Sequence, residues 1–293
     1  MTPLRRRMIQ DMRLAGLSEG TQRVYAQAVK RLAQYFNRSP DQLHQPHIRQ
    51  FFLHLRQDGH LAASTLRLYA YAIKFFFRRT LGRRWAVFDL LRFRPDRKLP
   101  VVLSRGQVRQ LLDAIARPDI RLIGILMYTC GLRVSEAVRL GPADIDSHRM
   151  VLAVRAGKGR KDRYVPLPDL TLQGLRDYWR RHHPPSCRQW LFPNPAGTGP
   201  LRPETVRRAL QAAARAGGIR QKIGCHTLRH CYATHLLEGG LDLRCIQALL
   251  GHRSIRTTVG YLHLTAATLA RVRQSVNGLT ADLAPPPRHA RTR

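Results

Sequence analysis

The sequence predicts a mainly α-helical protein with a small β-hairpin or sheet, divided into two domains. Three observations carry that prediction. Apolar residues recur at three- and four-residue steps through much of the 293-residue chain, the mark of helices that bury one face. Residues 150–154 and 164–167 are β-prone and flank the polar run Gly157-Lys158-Gly159-Arg160-Lys161-Asp162, the pattern of a hairpin. Residues 92–104 (RFRPDRKLPVVLS) hold two prolines, several charges and no helical period, as expected of a linker. The expected organisation is therefore a helical domain over 1–92, a linker over 93–104, a second domain over 105–275 and a basic tail over 276–293.

In the first domain, residues 21–36 place Val24, Tyr25, Ala28, Val29, Leu32 and Tyr35 on one stripe, with Ser18 to Thr21 as a helix start. Pro46-His47 opens a second helix whose stripe includes Ile48, Phe51, Phe52 and Leu55. A third covers 62–79. There Tyr69, Ile73, Phe76 and Phe77 share a face while the cations fall mainly elsewhere, so the aromatics are expected in the core and not stacked on bases.

Beyond the linker, residues 105–116, 120–130 and 133–140 read as helices, with Gly131 at a cap-like position between the last two. Residues 203–215 form a helix closed by Gly217-Gly218, 226–238 one closed by Gly239-Gly240, and 243–250 another. The tail carries Pro285-Pro286-Pro287 and a basic end, and is expected to be disordered.

Composition narrows the function. The chain has 51 Lys and Arg against 18 Asp and Glu, a formal charge of +33. Of this, +14 lies in residues 1–99 and +19 beyond, so the charge is no detachable tail and nucleic acid is the first partner to expect. A coding bias toward arginine is the bland alternative. No apolar run approaches the ~20 residues of a membrane helix, and the N-terminus lacks the apolar stretch of a signal peptide, so a cytoplasmic protein without membrane contact is expected. The five cysteines are spread without CxxC spacing, which argues against a disulfide framework or zinc finger. Cys225, His226, His230 and Cys231 lie on one helical segment and cannot all face one ion, so no metal is expected. No P-loop pattern supports ATP-driven chemistry.

The residues that remain fit phosphoryl chemistry. A phosphodiester under attack gathers charge on its non-bridging oxygens. Arg133 and Arg229 can each grip two of these through a planar fork. His226 and Arg229 stand three residues apart on one helical face, near a helix start that favours anions. His252 follows Gly251, a glycine placed to turn the chain and present the imidazole. Tyr261 comes nine residues later, and surrounding cations would favour its phenolate as a nucleophile. Lys158 at the hairpin tip suits a general acid for a leaving oxygen, and Glu136 a support for a neighbouring cation. Taken singly, each has a duller account as a solvated charge, a turn or a packed aromatic.

Together, GLRVSE (131–136), GKGRKDRYVPL (157–167), HTLRH (226–230), ATHLLEGG (233–240), LLGH (249–252) and TTVGY (257–261) resemble the tyrosine recombinases of the Xer and phage-integrase type across nearly the whole second domain. The helical first domain is similar, more weakly, to their core DNA-binding domain. The resemblance implies a site-specific recombinase that needs no cofactor and cuts and rejoins DNA through a 3′-phosphotyrosine. It implies Tyr261 as nucleophile, Arg133, Lys158, His226, Arg229 and His252 as the catalytic set, and Glu136 as support. It further implies two domains that clamp duplex DNA bearing an inverted-repeat core site, a homo-tetramer on two such sites, and a nucleoid-associated place in the cytoplasm. Integration, excision or resolution would be the outcome. Residues 264–272 would form a helix that docks on a neighbouring subunit or folds back on its own chain. Departures are Cys225, where the family often has proline or serine, Val259-Gly260 before the tyrosine, and the basic tail. A type IB topoisomerase-like strand relaxation, or DNA binding without catalysis, are the alternatives.

Overall fold

A computed structural model describes residues 2–57, 61–93, 100–155, 162–184 and 187–251. The chain divides into two compact units, residues 1–99 and 100–293.

The first unit is helical: α1 (Pro3–Leu14), α2 (Glu19–Phe36), α3 (Gln45–Gln57), α4 (Ala63–Phe75) and the short α5 (Val87–Leu90). Local chemistry sets the boundaries. The Thr2 and Ser18 hydroxyls accept from backbone N–H groups of Arg5 and Thr21, each an N-cap. Asn37 closes α2 in the left-handed conformation at φ 48°, which asparagine tolerates better than most residues. After Phe75 the helix widens into a π-turn, Phe76–Thr80, and both Phe76 and Phe77 are buried beside Ile73, Phe51 and Phe52. The exposed residues of that segment include Arg67, Arg78 and Arg79, so Phe76 and Phe77 pack as the periodicity predicts, while Tyr71 stays exposed.

The second unit contains α6 (Arg105–Asp113), α7 (Pro118–Thr129), α8 (Val134–Ala137), strands β1 (Ile145–Asp146), β2 (Val151–Val154) and β3 (Arg163–Pro166), then α9 (Asp169–Arg181), α10 (Pro203–Ala216), α11 (Cys225–Glu238) and α12 (Leu243–Leu250). Helix α7 is the hub. It buries Ile120, Leu122, Ile123, Leu126 and Met127 and packs against α6, α8, α9, α10 and α11. Being apolar on most sides, it has no solvent face to spare. The antiparallel sheet runs in the order β1-β2-β3, with Leu152 opposite Val165. Leu152, Val154, Val165 and Leu167 point into the core, the alternation expected of a half-covered sheet.

Three local readings are corrected. The expected helix over 133–140 is only Val134–Ala137; the Gly141-Pro142 pair follows, and the residue before a proline disfavours helix. The hairpin gains a third strand, β1, only two residues long and too short to show a period. The stretch expected as linker ends inside the core: Leu103 is fully buried and its N–H donates to Cys231 Sγ at 3.2 Å. Ser104 and Gln107 form the capping box that starts α6. No helix among the described residues is long and apolar enough to cross a membrane.

Candidate active site

The site begins where α7 ends. Gly131 turns the chain at φ 62°, and a Cβ there would lie 2.4 Å from the Tyr232 ring, so both conformation and space demand glycine. That turn delivers Arg133 to the cap of α8. Glu136, one turn on, reaches back so that its Oε2 accepts the Arg133 N–H at 2.8 Å and its Oε1 the Arg133 Nη1–H at 2.6 Å.

Two more guanidiniums converge on the same carboxylate. Arg163, at the start of β3, donates from Nη1 and Nη2 to Oε1 and Oε2 at 3.0 and 2.8 Å. Arg229 of α11 brings Nη1 within 3.7 Å of Oε2. The Glu136 side chain is 6% exposed, and burial alone would push its carboxyl up. The hydrogen bonds from Arg163, then those from the Arg133 backbone and guanidinium, outweigh burial and hold it at about 2. Among the described residues Glu136 is therefore a fixed anion among three fixed cations, with two positive charges in excess.

Arg229 is 3% exposed. Its Nη1 and Nη2 donate to the carbonyls of Gly131 and Leu250, which join α7, α11 and the end of α12. His226 sits one turn earlier, at the second position of α11, where free N–H groups favour an anion. Desolvation, and then the charges of Arg229 and Arg133, lower its pKa. The imidazole is thus disposed to stay neutral, able to donate through one nitrogen only. His230 is pushed further down, to about 4, by burial and by His226 and Arg229.

The structure thus brings Arg133, Glu136, Arg229 and His226 together. Lys158, His252 and Tyr261 lie outside the described residues, as do 264–272 and the tail. Gly251 closes α12 at φ 61°, the turn expected before His252. Sequence reasoning missed Arg163. It stands in Arg160-Lys161-Asp162-Arg163, where neighbouring cations mask it. Strand alternation held the signal, because Arg163 shares a face with the buried Val165. Among the described residues, no group of three or more His, Cys, Asp or Glu could hold a metal ion.

Residues 102–268 match the model of the phage integrase family, and residues 4–87 match that of the phage integrase N-terminal SAM-like domain. The chain belongs to the phage integrase family of tyrosine recombinases. The recombinase is 41% identical over 265 residues to the integrase/recombinase-like y4qK protein of Sinorhizobium fredii, covering 90% of this chain and 85% of that one. It is 38% identical over 264 residues to tyrosine recombinase XerD of Caulobacter vibrioides, covering 84% and 86%. Its fold matches that of the XerH site-specific recombinase bound to difH substrate with a TM-score of 0.66, at 24% identity, over 86% of this chain and 78% of that one. The recombinase is an enzyme that breaks and rejoins DNA.

Proposed function

We propose that the Arg133, Arg229 and His226 cluster binds the scissile phosphate of a DNA strand and that Tyr261 attacks it. The phenolate oxygen forms the new P–O bond to the 3′ side, and the bridging oxygen leaves as a 5′-hydroxyl, protonated by Lys158. His252 completes the donor set around the phosphate. Rejoining reverses these bonds with another strand's 5′-hydroxyl, so the phosphodiester energy stays in the protein–DNA link. Glu136 touches no reacting atom and fixes the guanidiniums. The observation that carries the reading is the convergence of Arg133 and Arg229 on one buried carboxylate with His226 at the same helix start: forks held in place before substrate arrives.

Residues 1–92 act in this reading as the core DNA-binding domain and 105–275 as the catalytic domain. The partner is DNA, consistent with the +33 charge. The finer assignment is a homo-tetramer on two duplexes, each with an inverted-repeat core site, acting at the nucleoid in integration, excision or resolution.

The test is rapid detergent denaturation of expressing cells, recovery of DNA-linked protein and sequencing of the attached ends, for wild type and Tyr261→Phe. Wild-type adducts sharing a sequence and absent from the variant are expected. Folded, DNA-binding wild type that traps no DNA would overturn the catalytic reading. Relaxation of plasmids by monomer without joining of two sites would favour a topoisomerase instead.

A further inference from the structure

We infer that Arg163 is a positioning residue for DNA cleavage, holding Glu136 and the end of α12 in one array so that Arg133 and Arg229 stay aimed at the phosphate. The inference rests on the reading of the site given under Proposed function. Arg163 makes three hydrogen bonds with its fork and Nε: two to the Glu136 oxygens, and one from Nε to the Leu249 carbonyl at 2.9 Å. Arg229 holds the next carbonyl, that of Leu250. Carbonyls of the last helical turn have no partner within their own helix, and here two arginines supply them. The Arg163 stem also lies against the left-handed cap: a Cβ on Gly251 would stand 3.0 Å from Arg163 Cδ. The residue therefore joins β3, α8 and the point where the chain leaves α12.

The geometry explains why an arginine is needed. A lysine ammonium cannot span both carboxylate oxygens and a carbonyl on the far side, whereas the planar guanidinium does. Without Arg163, the Arg133 and Arg229 guanidiniums would share all of Glu136. Arg133, whose Nη1 already bonds Oε1, would be drawn onto the carboxylate and away from substrate. Among the described residues, the charged and titratable groups around Glu136 are Arg133 at the start of α8, Arg163 on β3, and Arg229 with the Tyr232 phenol behind it on α11, while the end of α12 supplies carbonyls. Removing Arg163 takes away the leading group that opposes burial, so the Glu136 carboxyl rises toward neutral pH and protonates at a higher pH.

The experiment is single-turnover cleavage of a nicked duplex carrying the sequence recovered from trapped wild-type adducts, by full-length wild type, Arg163→Met and Arg163→Lys. The scissile position is either a phosphodiester or a methylphosphonate, which lacks one charged oxygen and leans less on guanidinium stabilisation. Arg163→Met is expected to bind the duplex as wild type does and cleave the phosphodiester ~10- to 100-fold more slowly. The gap narrows on the methylphosphonate, and the acid limb of the rate moves to higher pH. Arg163→Lys is expected to lie between the two. Wild-type cleavage by Arg163→Met would overturn the inference, as would an equal loss on both substrates with an unmoved acid limb, which marks a purely structural role. Should Arg163→Met fail to fold, a wild-type rate in Arg163→Lys overturns it, and a slowed rate that recovers on the methylphosphonate supports it. Absence of adducts from wild type would remove the reading beneath the inference; wild-type adducts with an unimpaired Arg163→Met remove the inference alone.

Discussion

Glu136→Gln tests whether the cation cluster depends on one buried charge. The carboxylate accepts from Arg133 and Arg163 with both oxygens. A glutamine keeps the shape but presents an NH2 to one set of donors in either orientation, and removes the carboxylate charge that three guanidiniums share. The carboxyl lies near 2 instead of its ordinary 4.5, a difference of ~3 kcal/mol. Loss of one partner from a buried ion pair costs ~3–5 kcal/mol, a consistent scale. The sign follows from linkage. A depressed carboxyl contributes its stability above the unfolded pKa and loses it as pH falls through the folded one, so the effect is full at pH 7, about half near pH 3 and gone below about 2. The assay is urea unfolding followed by tryptophan fluorescence in a Trp85→Phe background, so that Trp179 and Trp190 report the second unit. The variant is expected ~3 kcal/mol less stable at pH 7, or ~10 °C lower in Tm, with the gap closing on acidification. A gap below ~1 kcal/mol, or one that does not change between pH 7 and pH 3, would refute the reasoning.

Gly131→Ala forces a Cβ into the Tyr232 ring at a positive φ and is expected to cost ~2–4 kcal/mol in urea unfolding; Tyr232→Ala in the same chain should recover part of that cost. His230, pushed down to about 4 from 6.5, takes up its proton more readily when unfolded. Stability should therefore fall by ~1–2 kcal/mol as pH drops from 6.5 toward 4, and His230→Asn should flatten that slope. DNA affinity measured by fluorescence anisotropy should fall at least ~100-fold between 50 and 200 mM salt through counterion release; a flat response would contradict a +33 chain that binds through phosphates.

The parts legible in the sequence were those with strong local punctuation. Helices α10, α11 and α12 fall within a residue of the expected spans because prolines, glycines and Asp242 mark their ends. Gly131 and Gly251 take the left-handed turns their positions predict. Helix α9 went unread: Gly174 and two threonine- or glutamine-bearing turns dilute a stripe whose buried members are Leu172, Leu175 and Tyr178. The π-turn at Phe76 escaped because sequence period cannot distinguish it from one more α-helical turn. At the candidate site, Arg133, His226 and Arg229 were expected from motif spacing and Glu136 as support for a neighbouring cation, but that Arg133, Arg163 and Arg229 all depend on that one carboxylate was not. That dependence exists only in three dimensions, between residues 27 positions apart for Arg163 and Glu136 and 98 apart for Arg229 and Gly131.

The same separation bears on how a DNA-cutting chain avoids cutting while it folds. Arg133 and Glu136 come from the turn after α7, Arg163 from the sheet, Arg229 from α11, and two of the accepting carbonyls from the end of α12. Among the described residues no local segment brings Arg133, Arg163 and Arg229 together, and closing the loops between them costs chain entropy that packing of the intervening core offsets. Three guanidiniums brought close before Glu136 is buried between them would repel each other and remain hydrated. The arginine cluster is therefore stable only once α7 is surrounded, so the cluster and the hydrophobic core should appear in one cooperative step. Pulsed labelling during refolding would show Arg229-bonded Gly131 and Leu250 neighbours gaining protection together with Leu126 and Met127. Earlier protection of the helix core, with the site forming separately, would mean that the cations are assembled on a finished scaffold.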